Sequence, residues 1–521
     1  MALGPKLQSG AAIARSVLTP FERPDRFVRS LAAMAPWGSS LAGLVAGAAK
    51  RYPDAVAIVD DAGSITYDEF WARSRAIAAG LAEHGVTSGV AVGLLARNHR
   101  GFVEAATAVA ATGGDLVLLN TGFAGPQIAD VVEHEAVEIV IHDDEFTDAV
   151  EGCGAGLTID EATLDAMAQS GTVDPPEGPP GRVVILTSGT TGRPKGAARK
   201  SDDAGVEGIG AVLDRIPLRL RDTQVVAAPL FHAWGLSHLL LGVARSATNV
   251  LARRFDPQAT VAAMSRHDAE VLVVVPVMMS RILDLDPKVL ASHATPDLRT
   301  IASSGSAIGS GLVTRILDQF GPVLYNLYGS TEVAVATIAT PEDLAVDPST
   351  AGRVALGSRV EILDHDGGPV PDGQVGRVFV GSAMPFEGYT NGGDKERIRG
   401  LLSSGDMGRF VDGLLFVEGR DDDMIVSGGE NVFPAEVEEL LRARPSIADA
   451  AVIGVDDDEF GQALAAFVVT EPGAELTVDE VRSHVKDQLA RHKVPRTVTF
   501  IDELPRNATG KLLRRSLGDL A

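Results

Sequence analysis

Short apolar runs alternate with longer, periodically apolar stretches through most of the chain. Residues 90–96, 116–120 and 138–142 are apolar runs of strand length, and the rhythm returns at 183–186 and 271–275. Strands that are apolar on both faces belong to parallel sheets covered by helices. The pattern therefore predicts an α/β architecture with substantial parallel sheet. The most apolar stretch, 102–120, contains Glu104, Asp115 and a Gly113–Gly114 break. It reads as a core helix followed by a strand, not as a membrane span.

The last hundred residues are patterned differently. Residues 434–444 predict a helix opened by Pro434, and 450–455 and 464–470 are strand-like. Residues 477–490 predict a helix whose Glu480 stands three places after Thr477, the spacing of a capping box. This is a compact α+β unit, separate from the α/β part. Upstream, the Pro- and Gly-rich residues 171–181 predict a subdomain boundary.

Charge narrows the function. The 521 residues carry a formal net charge of -24, which disfavours nucleic acid and anionic membrane surfaces as partners. A polyanionic substrate would need local basic residues set against that field. Only nine of the 46 basic residues are lysine, so a lysine in a Gly-rich loop stands out. Cys153 is the single cysteine, which excludes an intrachain disulfide and predicts a structural role in a reducing, cytoplasmic setting. The N-terminus lacks the pattern of a secretory signal.

Four segments carry candidate chemistry. Thr187-Ser188-Gly189-Thr190-Thr191-Gly192-Arg193-Pro194-Lys195-Gly196 follows the strand at 183–186. Glycines let the backbone approach a polyanion, hydroxyls donate hydrogen bonds and Lys195 adds charge, as a triphosphate requires. No Ser or Thr follows the lysine, so this is not a Walker A loop. Asn326-Leu327-Tyr328-Gly329-Ser330-Thr331-Glu332 offers a ring to stack on a base and a carboxylate for Mg²⁺. Ser404-Gly405-Asp406, which taken alone reads as a loop, and Arg420 after Gly419 suit ribose hydroxyls. Lys511, in Pro505-Arg506-Asn507-Ala508-Thr509-Gly510-Lys511, can reach into a site as a point charge.

Together and in this order, from about residue 40 to Lys511, these segments resemble the adenylate-forming superfamily of acyl-CoA synthetases, peptide-synthetase adenylation domains and beetle luciferases. The resemblance implies a large N-terminal α/β domain over 1–421 and a small, mobile C-terminal α+β domain over 422–521. It implies ATP, Mg²⁺ and coenzyme A as cofactors and co-substrates. Thr187, Ser188, Gly189, Thr190, Thr191, Gly192 and Lys195 would grip the β- and γ-phosphates. Thr187 and Glu332 would hold Mg²⁺ beside the α-phosphate. Ser304, Gly305, Ser306 and Ala307 would form the adenine wall, with Asn326, Gly329, Ser330 and Thr331 beside them and Tyr328 packed on the base. Asp406 and Arg420 would take the ribose, His232 would lie beside the acyl carboxylate, and Lys511 would bridge carboxylate and α-phosphate. Asp422 matches the hinge, and Gly429 matches the loop that lines the pantetheine tunnel. Ser306 and Ile308 stand where Gly and Pro are common.

The residues 97–102 and 118–123 resemble bacterial fatty-acid–CoA ligases more narrowly, so the expected acid is a medium- or long-chain fatty acid. An aromatic or branched acid is the alternative. A free-standing loader of a carrier protein is another, but the ten residues after Lys511 hold no carrier domain and free CoA is the expected acceptor. A luciferase-like oxidase and a non-enzymatic nucleotide sensor rank lower, since a sensor is expected to lose Lys511 or Glu332. Trp234 reads as a core aromatic rather than the end of an acyl tunnel. Oligomeric state is not written in the sequence.

Overall fold

A computed structural model describes residues 5–17, 24–169, 171–176, 180–188, 194–199, 204–382, 388, 395–421, 423–427, 430–457, 461–507, 510–518 and 520. Two sheets dominate its first 355 residues. In the six-stranded sheet the order is Leu157–Ile159, Val137–His142, Ala91–Leu95, Asp115–Leu118, Val183–Ser188 and Pro194–Arg199. All neighbours are parallel except the last pair. The nine-stranded sheet has a parallel centre, including Leu324–Ser330, Thr300–Ser303, Val271–Val274, Thr223–Val226 and Thr248–Leu251, with antiparallel edges.

Side-chain alternation explains why these strands are apolar throughout. Val92, Leu94, Leu116, Leu118, Ile139 and Ile141 face the core shared with the nine-stranded sheet, while Leu95, Val117, Val140 and Val184 face the opposite side with Ile128 and Val131. Between the two sheets run the helices Leu41–Arg51 and Arg100–Thr112. The second is buried nearly all round, as a helix covered on every face must be. Gly113 ends it in the left-handed conformation that glycine adopts freely. Cys153 lies in the outer core as a buried free thiol.

Residues 171–181 do not divide two sheets: strands on both sides of them join the six-stranded sheet. Gly181, its last residue, is pressed onto the body: a Cβ there would lie 1.9 Å from the Gly114 carbonyl oxygen. The strand-poor reading of 404–406 is also corrected. Ser404, Gly405 and Asp406 lie inside the strand Leu401–Val411, part of a five-stranded antiparallel sheet that includes Arg359–Leu363, Gly376–Gly381 and Leu414–Arg420.

The C-terminal unit pairs Ile447–Asp457 with Gly461–Thr470 and packs Pro434–Arg442 and Val478–Gln488 on them. Thr477 and Glu480 form the expected capping box. Among the described residues, no helix is long and apolar enough to cross a membrane.

Candidate active site

Four parallel strands of the nine-stranded sheet end at one edge, where open α/β sheets bind ligands. Thr223–Val226 leads to Ala228 and His232, Val271–Val274 to Val275, and Thr300–Ser303 to Ser304, Gly305, Ser306 and Ala307. Leu324–Ser330 contains Asn326, Tyr328, Gly329 and Ser330 and leads to Thr331 and Glu332. All these residues line one cleft of about 3260 Å³, with Asp406, Arg420 and Lys511. Sites for drug-sized ligands run to roughly 1,000 Å³, so this cleft has room for several substrates.

The His232 segment is set by Asn98, which is buried. Its Nδ2 donates to the Ala228 carbonyl at 2.9 Å, and its Oδ1 accepts from the Leu230 N–H at 2.9 Å. His232 then opens the helix Ala233–Ala244 without a side-chain cap. His232 lines the cleft, but its Nε2 has no solvent access and no hydrogen-bond partner among the described residues. Burial pushes its pKa down to about 4, so the imidazole is neutral at physiological pH. An unpaired buried nitrogen of this kind is costly. Trp234 donates from Nε1 to the Val274 carbonyl at 3.0 Å and meets His238 edge-on at 4.1 Å, a packing role with one face on the cleft.

Asp406 and Arg420 are cross-strand partners. The Tyr328 hydroxyl donates to Asp406 Oδ2 at 2.5 Å, and Arg420 Nη1 lies 3.8 Å from Asp406 Oδ1. Burial raises the Asp406 pKa, against the Tyr328 bond and the Arg420 charge, and burial first, then the Asp406 charge, holds Tyr328 well above the usual phenol range. The phenol therefore stays protonated and donates. Lys395 joins them: its Nζ donates to the Ser404 carbonyl at 3.1 Å and it lines the cleft. Sequence reasoning passed over Lys395, although the scarcity of lysine could have drawn attention to it.

Some predicted residues have plainer local roles. Ser304 donates its hydroxyl to the Leu327 carbonyl at 2.9 Å, tying two strand ends together. Gly329 is required by its own hairpin, since a Cβ would lie 1.8 Å from the Ala334 carbonyl oxygen. Asn326 is buried with Oδ1 unpartnered among the described residues. Glu332 accepts the Ser330 hydroxyl at 2.7 Å and presents its carboxylate to the cleft, a hard oxygen donor that fits Mg²⁺.

Two antiparallel strands carry the ends of the phosphate-loop sequence. Thr187 pairs with Lys195 and Ser188 with Pro194 across antiparallel strands, so the register brings these positions together. Gly189, Thr190, Thr191 and Gly192 lie outside the described residues, as do Asp422 and Gly429.

Lys511 comes from the C-terminal unit. Asn507 folds its loop tightly: the Lys511 N–H donates to Asn507 Oδ1 at 2.8 Å, and the Asn507 N–H donates to the Lys511 carbonyl at 2.9 Å. Gly510, at φ +77°, touches the large body so closely that a Cβ would lie 2.2 Å from Val277 Cγ1. A second bridge joins the Ser310 hydroxyl to Glu439. Together they present exposed Lys511 to the cleft.

Residues 45–390 match the family model of the AMP-binding enzymes, and 436–511 match that of the AMP-binding enzyme C-terminal domain. The chain belongs to the AMP-binding enzyme family. Its fold is that of the adenylate-forming enzymes, with a large N-terminal and a small C-terminal domain. A feruloyl-CoA synthase from an Amycolatopsis species is 32% identical over 478 residues, covering 89% of this chain and 96% of the relative. A 2-succinylbenzoate–CoA ligase from Geobacillus kaustophilus is 31% identical over 472 residues, covering 89% and 95%. The solved o-succinylbenzoate CoA synthetase (MenE) of Bacillus subtilis, in complex with an acyl-adenylate intermediate, aligns at a TM-score of 0.81 and 27% identity, covering 91% of this chain and 97% of that one. Enzymes of this CoA-ligase group use ATP and CoA.

None of these names supports the fatty-acid expectation. The structure also shows what most of its sequence basis does. Arg97 pairs with Glu145, His99 with Asp143 and Arg100 with Asp60, and Asn98 orients backbone. These residues build scaffold and do not report the acid. Near them, His99, Asp143 and Glu161 are close enough together to hold a cation. Their donors are engaged, however: His99 Nε2 lies 2.7 Å from Asp143 Oδ1, and Arg253 Nη2 donates to Glu161 at 2.6 Å. The cluster is an ion-pair network.

Proposed function

We propose that this AMP-binding enzyme is an ATP-dependent acid–CoA ligase that acts on an aromatic carboxylic acid. The acid is activated as an acyl-adenylate with release of pyrophosphate, and CoA then takes the acyl group and releases AMP. The observation that carries the reading is the convergence of His232, Glu332, Asp406 and Lys511, from separate elements, on one cleft. In this reading the sequence from Thr187 to Lys195 binds the outer phosphates, and Tyr328, Asp406 and Arg420 hold the nucleoside. Neutral His232 places the carboxylate, and Lys511 offsets the charge that gathers between carboxylate and α-phosphate. Glu332 and Thr187 would hold Mg²⁺, which supplies charge neutralisation on the phosphates. The aromatic choice rests on the names of the relatives and on a proposed carboxylate position whose cleft lining includes His232 and Trp234.

The pieces 1–421 and 422–521 are proposed as the two moving bodies, hinged at Asp422, with Gly429 serving the thioester step. The test is a panel of carboxylic acids incubated with ATP and CoA, with nucleotide products resolved by chromatography. AMP, pyrophosphate and an aryl-CoA are expected. ADP as the product, or AMP release for fatty acids above every benzoate and cinnamate, overturns the corresponding part.

A further inference from the structure

Two N-terminal helices, Pro5–Val17 and Pro24–Met34, precede the region matched by the family model, which begins at residue 45. Yet Ile13, Val17, Phe27, Leu31 and Met34 line the same cleft as His232. The route between them follows one helix. Along Ala233–Ala244, the residues Leu236, Leu240, Leu241 and Ala244 face the cleft, an apolar stripe at i, i+4, i+5 and i+8. Eleven steps at 1.5 Å carry this stripe about 16 Å from the His232 end. A single aromatic ring beside His232 leaves most of that length unfilled. Two cations also face this end, and both are engaged. Arg51 donates to the Val17 carbonyl and lies over the Phe27 ring at 5.4 Å, while Arg245 is fully buried against Asp222. Arg245 is thus neutralised by Asp222, and Arg51 is tied to the N-terminal helices.

We infer that the N-terminal helices form the far wall of the acyl chamber and set the length of the acid, which carries an apolar tail extending beyond its first ring. This rests on the ligase reading above and deepens it. The probe is benzoate and its 4-n-alkyl homologues, assayed by acid-dependent AMP release. Each methylene that enters an apolar wall should raise kcat/KM roughly three- to fourfold until the chamber is full. Leu31→Trp and Ile13→Trp, one on each helix, should shorten the optimal tail by several carbons, so that kcat/KM falls far more for the long homologues than for benzoate. A flat alkyl series in wild type, the same cut-off in both well-folded variants, or a preference for acids with a terminal carboxylate overturns the inference. A readout independent of turnover uses a 4-alkylbenzoate bearing a diazirine at the tail end. Photolysis should label a peptide from residues 5–34, and labelling confined to other regions overturns the inference. If no acid releases AMP, the ligase reading fails while the label still decides what the chamber binds.

Discussion

The unpartnered imidazole of His232 should show in the pH dependence of stability. In the folded chain its pKa is about 4, against about 6.5 when exposed in the unfolded chain. The folded state therefore binds this proton more weakly. Its contribution to stability is fully present above pH 6.5 and is lost as pH falls toward 4. Between pH 7.5 and 5.0 these two values give a loss of about 2 kcal/mol. His238, buried and held down to about 3, adds a loss in the same direction. It is retained in His232→Phe, so it cancels when that variant is compared with wild type. At pH 7.5 the variant should be as stable as wild type or slightly more so, because an unpaired buried polar atom has been replaced by an apolar ring. At pH 5.0 it should be more stable by about 2 kcal/mol. Denaturant unfolding followed by tryptophan fluorescence reads the right part of the chain, since Trp37, Trp71 and Trp234 are the three tryptophans. Parallel pH–stability curves for the two proteins would refute the buried, neutral imidazole. The same variant should raise the KM for the acid and leave that for ATP within twofold.

Lys511→Ala should slow acid-dependent pyrophosphate exchange roughly 10²–10³-fold with an unchanged melting temperature, because an exposed lysine contributes little to stability; exchange within a few-fold of wild type rejects the role. Tyr328→Phe removes the phenol that donates to half-buried Asp406, so the KM for ATP should rise several-fold at unchanged acid KM, read from initial rates. Gly429→Leu should block transfer from preformed acyl-adenylate to CoA and spare pyrophosphate exchange; equal losses in both assays end the proposal that two faces of the small domain serve the two half-reactions.

Much of the fold was legible because it rests on local periodicity. The runs at 90–96, 116–120, 138–142 and 271–275 emerged as parallel strands with residue-level shifts at their ends. The Thr477–Glu480 capping box was readable from spacing alone. The strand through Ser404-Gly405-Asp406 was not, because two small polar residues give it no apolar alternation. What holds it is pairing: Asp406 opposite Arg420, and Ser404 donating to the Val378 carbonyl at 3.0 Å. Long-range registry of this kind leaves no trace in a local window. The proximity of Asp406 and Arg420, fourteen positions apart, was suggested by resemblance and is explained by the hairpin.

The acid itself was the least legible feature, for a physical reason. A phosphate loop is a contiguous device, because backbone N–H groups and hydroxyls must converge on one anion, and so it appears as a motif. An acyl chamber needs only shape and apolar surface. The chamber inferred above would draw on the first helices of the chain, on Leu41–Arg51 and on the stripe of Ala233–Ala244, segments some two hundred residues apart. Any apolar residue of the right size serves at such positions, so no spacing is imposed. The segment 97–102 attracted attention through its resemblance to fatty-acid–CoA ligases, but its charged residues answer to Glu145, Asp143 and Asp60. Charged motifs report what must be paired, whether scaffold or substrate. The identity of an apolar substrate is written in volume, which only the folded chain assembles.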